Sequence, residues 1–163
     1  MSYLGAVNII KTISETVNPD GLFSHSDKWK ASLNFSENDQ QIYLYPISAG
    51  VDLSNHYYES WSIVMGFYFQ DAPDSTPLDQ QALVALADDM VTEFLAELNV
   101  TEGIELSNVR KEPSYRQMAG TYTGYILTYT LGYTTDICEL EYVFLASEVP
   151  INFSTEDNNL IRA

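Results

Sequence analysis

The sequence predicts an α+β fold in which an antiparallel β-sheet packs against two α-helices. Alternating apolar and polar residues mark the strands, and the longest are residues 57–71 and 120–136. Residues 3–17 and 77–98 instead repeat apolar side chains every three or four positions, which is the period of an amphipathic helix. The chain has 163 residues, 45% of them hydrophobic, so it is long enough to bury one core without disulfides or metals.

The first predicted helix is followed by two predicted strands. An apolar stripe runs along residues 3–17, and Pro19 and Gly21 end the helix, because proline cannot continue it and glycine tolerates the turn. Alternation then predicts strands at residues 29–35 and 41–47.

A loop at residues 48–56 is expected before the strongest strand of the chain. Residues 57–71 are rich in Tyr, Trp, Ile, Val and Phe, which suit a pleated surface. Both faces of this strand are apolar, so we expect it to be central in the sheet and covered on each side.

The second helix, residues 77–98, is the clearest single element. Thr76 is a good N-cap, Pro77 suits the first helical position and Asp79 can complete a capping box. The pattern predicts that one apolar stripe of this helix packs on the sheet. Its members are Leu83, Leu86, Met90, Phe94 and Leu98, widened by Ala87, Val91 and Leu95.

The last part of the chain is predicted to be mainly strand. We expect a strand at residues 103–113, a loop at 114–120 and a long strand at 120–136. Residues 139–149 fit a final strand or a short helix, and their Tyr, Val and Phe residues favour the strand. Residues 150–163 are polar and rich in asparagine, which predicts a loose segment unless a partner orders it.

The charge of the chain excludes one large class of function. It carries 23 acidic and 7 basic residues, a net charge of −16. Such a field repels nucleic acid, so the sequence argues against a protein whose main task is to grip phosphate backbones. No stretch approaches the roughly 18 apolar residues of a membrane span, so no membrane partner is predicted.

Motifs for chemistry are missing from the sequence. His25 and His56 are 31 residues apart with no cysteine nearby, which does not fit a metal site. The single cysteine, Cys138, has acidic neighbours that disfavour a reactive thiolate. There is no phosphate-binding loop, nucleophile elbow or zinc-protease motif. We therefore expect a protein that is not an enzyme, with no catalytic residues, cofactor or metal ligand.

Basic residues cluster in two small islands on this acidic chain. A cationic island can recognise the acidic surface of a neighbouring copy, which favours head-to-tail association, although surface pairs usually contribute little. The candidate contact residues are Lys28, Lys30, Arg110, Lys111 and Arg116.

The strand at residues 120–136 places tyrosine and leucine on one face, and two interpretations stay open. In one, this face is core beneath the helix at residues 77–98. In the other, part of it, chiefly Tyr129 and Tyr133, lies at a subunit boundary, where tyrosine is enriched.

The element order, with the segment "WSIVMGFYFQDAPDSTPLDQQALVALADDMVTEFLAEL" and the return strand "GYILTYTLGY", resembles the tail-terminator or tail-completion proteins of long-tailed bacteriophages. Related neck or connector ring proteins fit almost as well. The resemblance covers about residues 3–134 and is one of pattern, not of motif. It implies a tail-terminator-like α+β domain at residues 1–134. Residues 135–163 depart from the family, and we expect a C-terminal strand and extended arm there.

The resemblance implies a structural virion protein that forms a homo-oligomeric ring at the head-to-tail junction, as a tail terminator or neck component. It implies partners among phage connector and tail proteins, passage of genomic DNA without specific binding, and assembly in the host cytoplasm into the virion. A rival interpretation is an acidic, monomeric DNA mimic that inhibits a nucleic-acid-binding protein. A small hydrolase or ligand carrier is third.

Overall fold

A computed structural model describes residues 3–25, 39–52, 57–117 and 121–135. Two helices and six strands are formed by these residues. In chain order they are α1 (Tyr3–Val17), β1 (Leu22–His25), β2 (Gln40–Leu44), β3 (Ser48–Asp52), β4 (Tyr57–Gln70), α2 (Pro77–Asn99), β5 (Glu105–Gln117) and β6 (Tyr122–Thr135). The predicted α+β fold class is confirmed.

The six strands form one mixed sheet in the order β1-β2-β4-β6-β5, and β3 pairs with β4 beside β2. Four of the five pairings are antiparallel, as the sequence predicts. The fifth pairing, between the short strand β1 and β2, is parallel. β1 was not among the predicted strands, so the prediction of a purely antiparallel sheet is corrected to a mixed one.

The centre of the sheet is the long pairing of β4 with β6. Their register runs without a shift from Tyr57 opposite Thr135 to Gln70 opposite Tyr122. Gly124 in β6 is needed for this close approach, since a Cβ atom there would lie 1.9 Å from the Phe67 carbonyl oxygen. The prediction that β4 is a central strand is confirmed.

Both helices lie on the same face of the sheet, and the main core lies between them and that face. Phe94 of α2 has its ring centroid 5.5 Å from that of Phe67 and 6.3 Å from that of Tyr129. Ile10 and Ile13 of α1 extend this core toward β2. Apolar burial of this kind is the main force that holds α2 on the sheet.

Two predicted loops are wrong in part. Residues 48–52 form β3 and pair with β4, although they lack an alternating pattern. β5 continues to Gln117 instead of ending at residue 113. The predicted strands at residues 29–35 and 139–149 lie outside the described residues, as does most of the predicted C-terminal arm.

Candidate assembly surface

The N-terminal half of α2 presents apolar side chains to solvent. We call Leu78, Ala82, Ala85 and Leu86 the α2 stripe, since they are all exposed on the side of the helix that faces away from the sheet. Leu78 is 74% exposed and Leu86 is 52% exposed. Exposed apolar side chains grouped in this way are typical of surfaces that contact other proteins.

The stripe faces outward because the contact between α2 and the sheet is made farther along the helix. The fully buried residues of α2 are Ala87, Val91, Phe94 and Leu98, and none of them lies in residues 77–86. In that half, Leu83 and Val84 are only half-buried. Leu86 was predicted to belong to the buried stripe. That prediction is wrong, because Ala87 and Val91 occupy the core side.

A buried carboxylate anchors this half of α2 instead. Asp71, at the end of β4, has a fully buried side chain. It accepts hydrogen bonds from the Thr123 hydroxyl at 2.8 Å, the Gln80 side-chain amide at 3.2 Å and the Ser75 hydroxyl. These bonds join the end of β4, the loop before α2, the first turns of α2 and the start of β6. We call this group the Asp71 junction.

A capping box completes the start of α2, as predicted. The Thr76 hydroxyl accepts a hydrogen bond from the Asp79 backbone N–H at 3.3 Å, and the Asp79 carboxylate accepts one from the Thr76 backbone N–H at 2.8 Å. Hydrogen bonds from the side chain and backbone of Thr76 lower the pKa of Asp79. Polar contacts thus fix the part of the helix that apolar burial does not.

Arg116 belongs to the Asp71 junction. Its Nε atom lies 3.7 Å from an Asp71 carboxylate oxygen, and its Nη2 atom donates to the Ser75 carbonyl oxygen at 3.4 Å. Its backbone has φ 48° at a register shift of β5, a conformation that arginine rarely adopts. The predicted role of Arg116 in a subunit contact stays a prediction, and such a contact would compete with these interactions within the domain.

Lys111 is also engaged within the domain. Its Nζ atom lies 2.5 Å from the Asp88 carboxylate of α2 and 5.9 Å from the centroid of the Tyr125 ring. It ties β5 to the side of α2 in a partly exposed pair of the kind that contributes little to stability. Its predicted subunit contact would compete with this pair.

β5 is an edge strand, and eleven of its thirteen residues are exposed. Arg110 projects from it with 75% of its side chain exposed, and it pairs with Glu112 on the same face of the strand. Pro113 and the register shifts near Asn108 and Arg116 interrupt the outer edge. Natural edge strands use such features to prevent uncontrolled strand pairing. β5 therefore fits a contact made through side chains better than added backbone pairing.

The remaining predicted contact residues lie in different parts of the chain, and not all of them are described. Tyr129 is 0% exposed in the core, and its hydroxyl donates to the Met65 sulfur at 3.4 Å. Its predicted subunit contact needs correction, and burial raises the pKa of its hydroxyl. The backbone of Tyr133 pairs with Glu59 in β4, but its side chain lies outside what the structure describes. Lys28 and Lys30 fall outside the described residues.

A second cluster of tyrosines lies on the sheet face opposite the two helices. Tyr43, Tyr68 and Tyr122 are buried there, with Tyr45 packed against them. The Tyr45 and Tyr68 hydroxyl oxygens are 3.2 Å apart, and burial raises the pKa of both groups. Within the described elements neither helix covers this face. Tyrosines on β6 were predicted to lie on one face of that strand, but this cluster was not predicted.

Two open clefts of about 510 and 420 Å³ border the loop that leads into α2. Asp71, Ala72 and Leu83 line both of them. Within residues 3–25, 39–52, 57–117 and 121–135, no group of three or more His, Cys, Asp or Glu side chains could hold a metal ion. In the same ranges no helix is long and apolar enough to cross a membrane.

No family model matches the sequence, and no curated protein matches it.

The α2 stripe was not predicted to be an exposed surface. A signal was present, because residues 77–86 contain two apolar rows on different sides of the helix. Leu78, Ala82 and Leu86 form one row, and Leu83 belongs to the other. A helix that has one partner needs only one such row.

Proposed function

We propose that the protein is a structural component of a bacteriophage virion, which assembles into a ring at the head-to-tail junction as a tail terminator or neck component. The single observation that carries the proposal is the exposed edge strand β5, with Arg110 projecting from it. The sequence resemblance supplies the particular assembly.

β5 suits a head-to-tail contact between copies. A ring forms when one surface of a subunit binds a different surface of the next. Exposed carboxylates are abundant on this chain, and those of Asp20, Asp74 and Glu102 lie outside α2. Arg110 is a cation that can pair with such an acidic surface across a subunit boundary and fix its orientation.

The charge of the chain also suits a ring through which DNA passes. With −16 on each copy, a lumen of this composition repels the phosphate backbone, so DNA does not adsorb. In this proposal the partners are further copies of the chain and the adjoining connector and tail proteins, and the final location is the virion.

Native mass spectrometry and negative-stain electron microscopy of the purified protein test the proposal. Closed rings of one subunit number are expected at high protein concentration, and Arg110→Glu is expected to dissociate them. Lys11→Glu is the matched control, because Lys11 is an exposed cation on α1 that also pairs with a glutamate. A strict monomer at every concentration, alone or with connector proteins, would contradict the proposal.

A second candidate is a monomeric DNA mimic. The outward face of the C-terminal half of α2 favours it, since Asp89, Glu93 and Glu97 place carboxylates about one helical turn apart. This function predicts tight, salt-sensitive binding to a basic DNA-binding protein that duplex DNA competes away. Substituting all three acids by amides should abolish that binding, whereas rings should survive the same change.

A further inference from the structure

We propose that the α2 stripe is a two-fold contact, in which residues 77–86 of one copy pack antiparallel against residues 77–86 of a second copy. This goes beyond the proposed ring. A ring needs two different surfaces that meet head to tail, whereas a two-fold contact joins identical surfaces. The contact would therefore pair single subunits, or join one ring to another.

The order of side chains along the stripe is self-complementary. Leu78, Ala82 and Leu86 follow one another at intervals of four residues, so they form a single ridge on the helix. The ridge is the same when it is read in either direction from Ala82. When two copies cross there, Leu78 of each lies beside Leu86 of the other. Alanine at the crossing point allows helix axes to approach to about 8 Å.

The charges around the stripe permit a second copy in spite of the net charge. Residues 80–87 contain no charged side chain. At the two ends, the Asp79 carboxylate is engaged in the cap with Thr76, and Asp88 is paired with Lys111. Further exposed acids of α2 follow at Asp89, Glu93 and Glu97. Because the two copies are antiparallel and cross at about 50°, their acidic C-terminal halves run in opposite directions from Ala82. Glu93 of one copy then lies roughly 30 Å from Glu93 of the other, which is about three Debye lengths at 0.1 M salt.

The same features argue against a cationic partner at this surface. A basic amphipathic segment would need carboxylates beside the leucines, and the centre of the stripe offers none. The contact is also small, since four side chains supply far less than the roughly 800 Å² per partner of a standard interface. We therefore expect weak association, strengthened by salt that screens the repulsion between copies.

Disulfide trapping tests a contact of this strength. In a Cys138→Ser background, Ala82→Cys is expected to form covalent dimers at least about tenfold faster than Glu93→Cys, in about 0.5 M salt. Residue 82 meets its own copy at the crossing point, within reach of a disulfide. Residue 93 is exposed on the same helix, but it lies roughly 16 Å along the axis from the crossing point. Equal rates would overturn the inference.

A mixing experiment tests the antiparallel register. Leu78→Cys and Leu86→Cys proteins, when mixed, are expected to form the mixed dimer faster than either protein dimerises alone. Faster dimerisation of Leu78→Cys alone would overturn the two-fold arrangement. Circular dichroism confirms that each variant is folded. Rings without trapping at residue 82 would refute only this inference, and trapping without rings would refute only the proposed function.

Discussion

Residues 77–86 and residues 87–99 belong to one continuous helix, yet different interactions hold the two halves to the domain. The C-terminal half buries Val91, Phe94 and Leu98 against the sheet and turns acidic side chains to solvent. The N-terminal half has no fully buried residue and turns Leu78 and Leu86 to solvent. A capping box and the Asp71 junction fix its position instead.

The difference separates stability from contact along a single helix. In the C-terminal half the leucine and phenylalanine side chains stabilise the fold. In the N-terminal half polar bonds position the backbone, so its outward leucines are left for another protein. Substitutions should therefore affect stability in one half and association in the other.

The largest effect on stability is expected from Phe94→Ala, compared with Leu83→Ala. Phe94 is fully buried between Phe67 and Tyr129, so its truncation should lower the free energy of unfolding by about 4 kcal/mol. Leu83 is half-buried, and its truncation should cost about 1 kcal/mol. Urea unfolding followed by circular dichroism measures both. Equal costs would remove the distinction between the halves.

Asp71→Ala should have the next largest effect and lower the free energy of unfolding by about 3 kcal/mol. The substitution leaves the Thr123 hydroxyl and the Gln80 amide without their acceptor. Hydrogen exchange should show faster opening at the start of α2 than at its end. Asp74→Ala is the control, since Asp74 is an exposed carboxylate in the same loop, and its loss should cost less than about 0.5 kcal/mol. If the control lost as much, the buried junction would not be the anchor.

Arg116 allows the strain in the junction to be measured separately from its contacts. Both Arg116→Ala and Arg116→Gly remove the guanidinium near Asp71, but only glycine adopts φ 48° without strain. The glycine variant should therefore be more stable than the alanine variant by about 1 kcal/mol in urea unfolding. An alanine variant of equal or greater stability would show that the backbone is not strained there.

Thr76→Ala should have a smaller effect, a loss of about 1 kcal/mol at neutral pH from the missing cap. The pKa of Asp79 is lower in the folded protein than in the unfolded chain, so its contribution is present above the ordinary carboxyl pKa. It is lost as the pH falls through the lowered value. The Thr76 hydroxyl still accepts from the Asp79 N–H in acid, so the melting temperatures of wild type and variant should move closer as the pH falls without becoming equal. A difference that does not change with pH would contradict this.

Much of the fold could be predicted from the sequence, because hydrophobic period and helix signals act locally. Thr76, Pro77 and Asp79 marked the start of α2 correctly, and β4 was identified as central from its two apolar faces. β1 and β3 could not be predicted. They are short and do not alternate strongly, and they become strands only because β2 and β4 offer free backbone edges.

The candidate surface was harder to predict than the fold. Tyrosine and arginine are residue types that are common in protein contacts. In the folded chain, however, Tyr129 is buried in the core and Arg116 pairs with Asp71. Leucine is a residue type that is common in cores, but Leu86 faces solvent. Residue type alone does not show which side of a helix the sheet will cover when both sides are apolar. Only the packing of Ala87, Val91 and Phe94 decides it.

The central claim is that the N-terminal half of α2 is a contact surface between copies and that the C-terminal half is not. Sedimentation equilibrium in about 0.5 M salt tests it directly in an Arg110→Glu background, which removes the contact of the proposed ring. The account predicts that the Arg110→Glu protein associates reversibly. Adding Leu78→Ser/Leu86→Ser should lower its association constant at least about tenfold without changing its melting temperature, whereas adding Glu93→Gln/Glu97→Gln should leave association complete. Unchanged association of the serine variant would contradict the account.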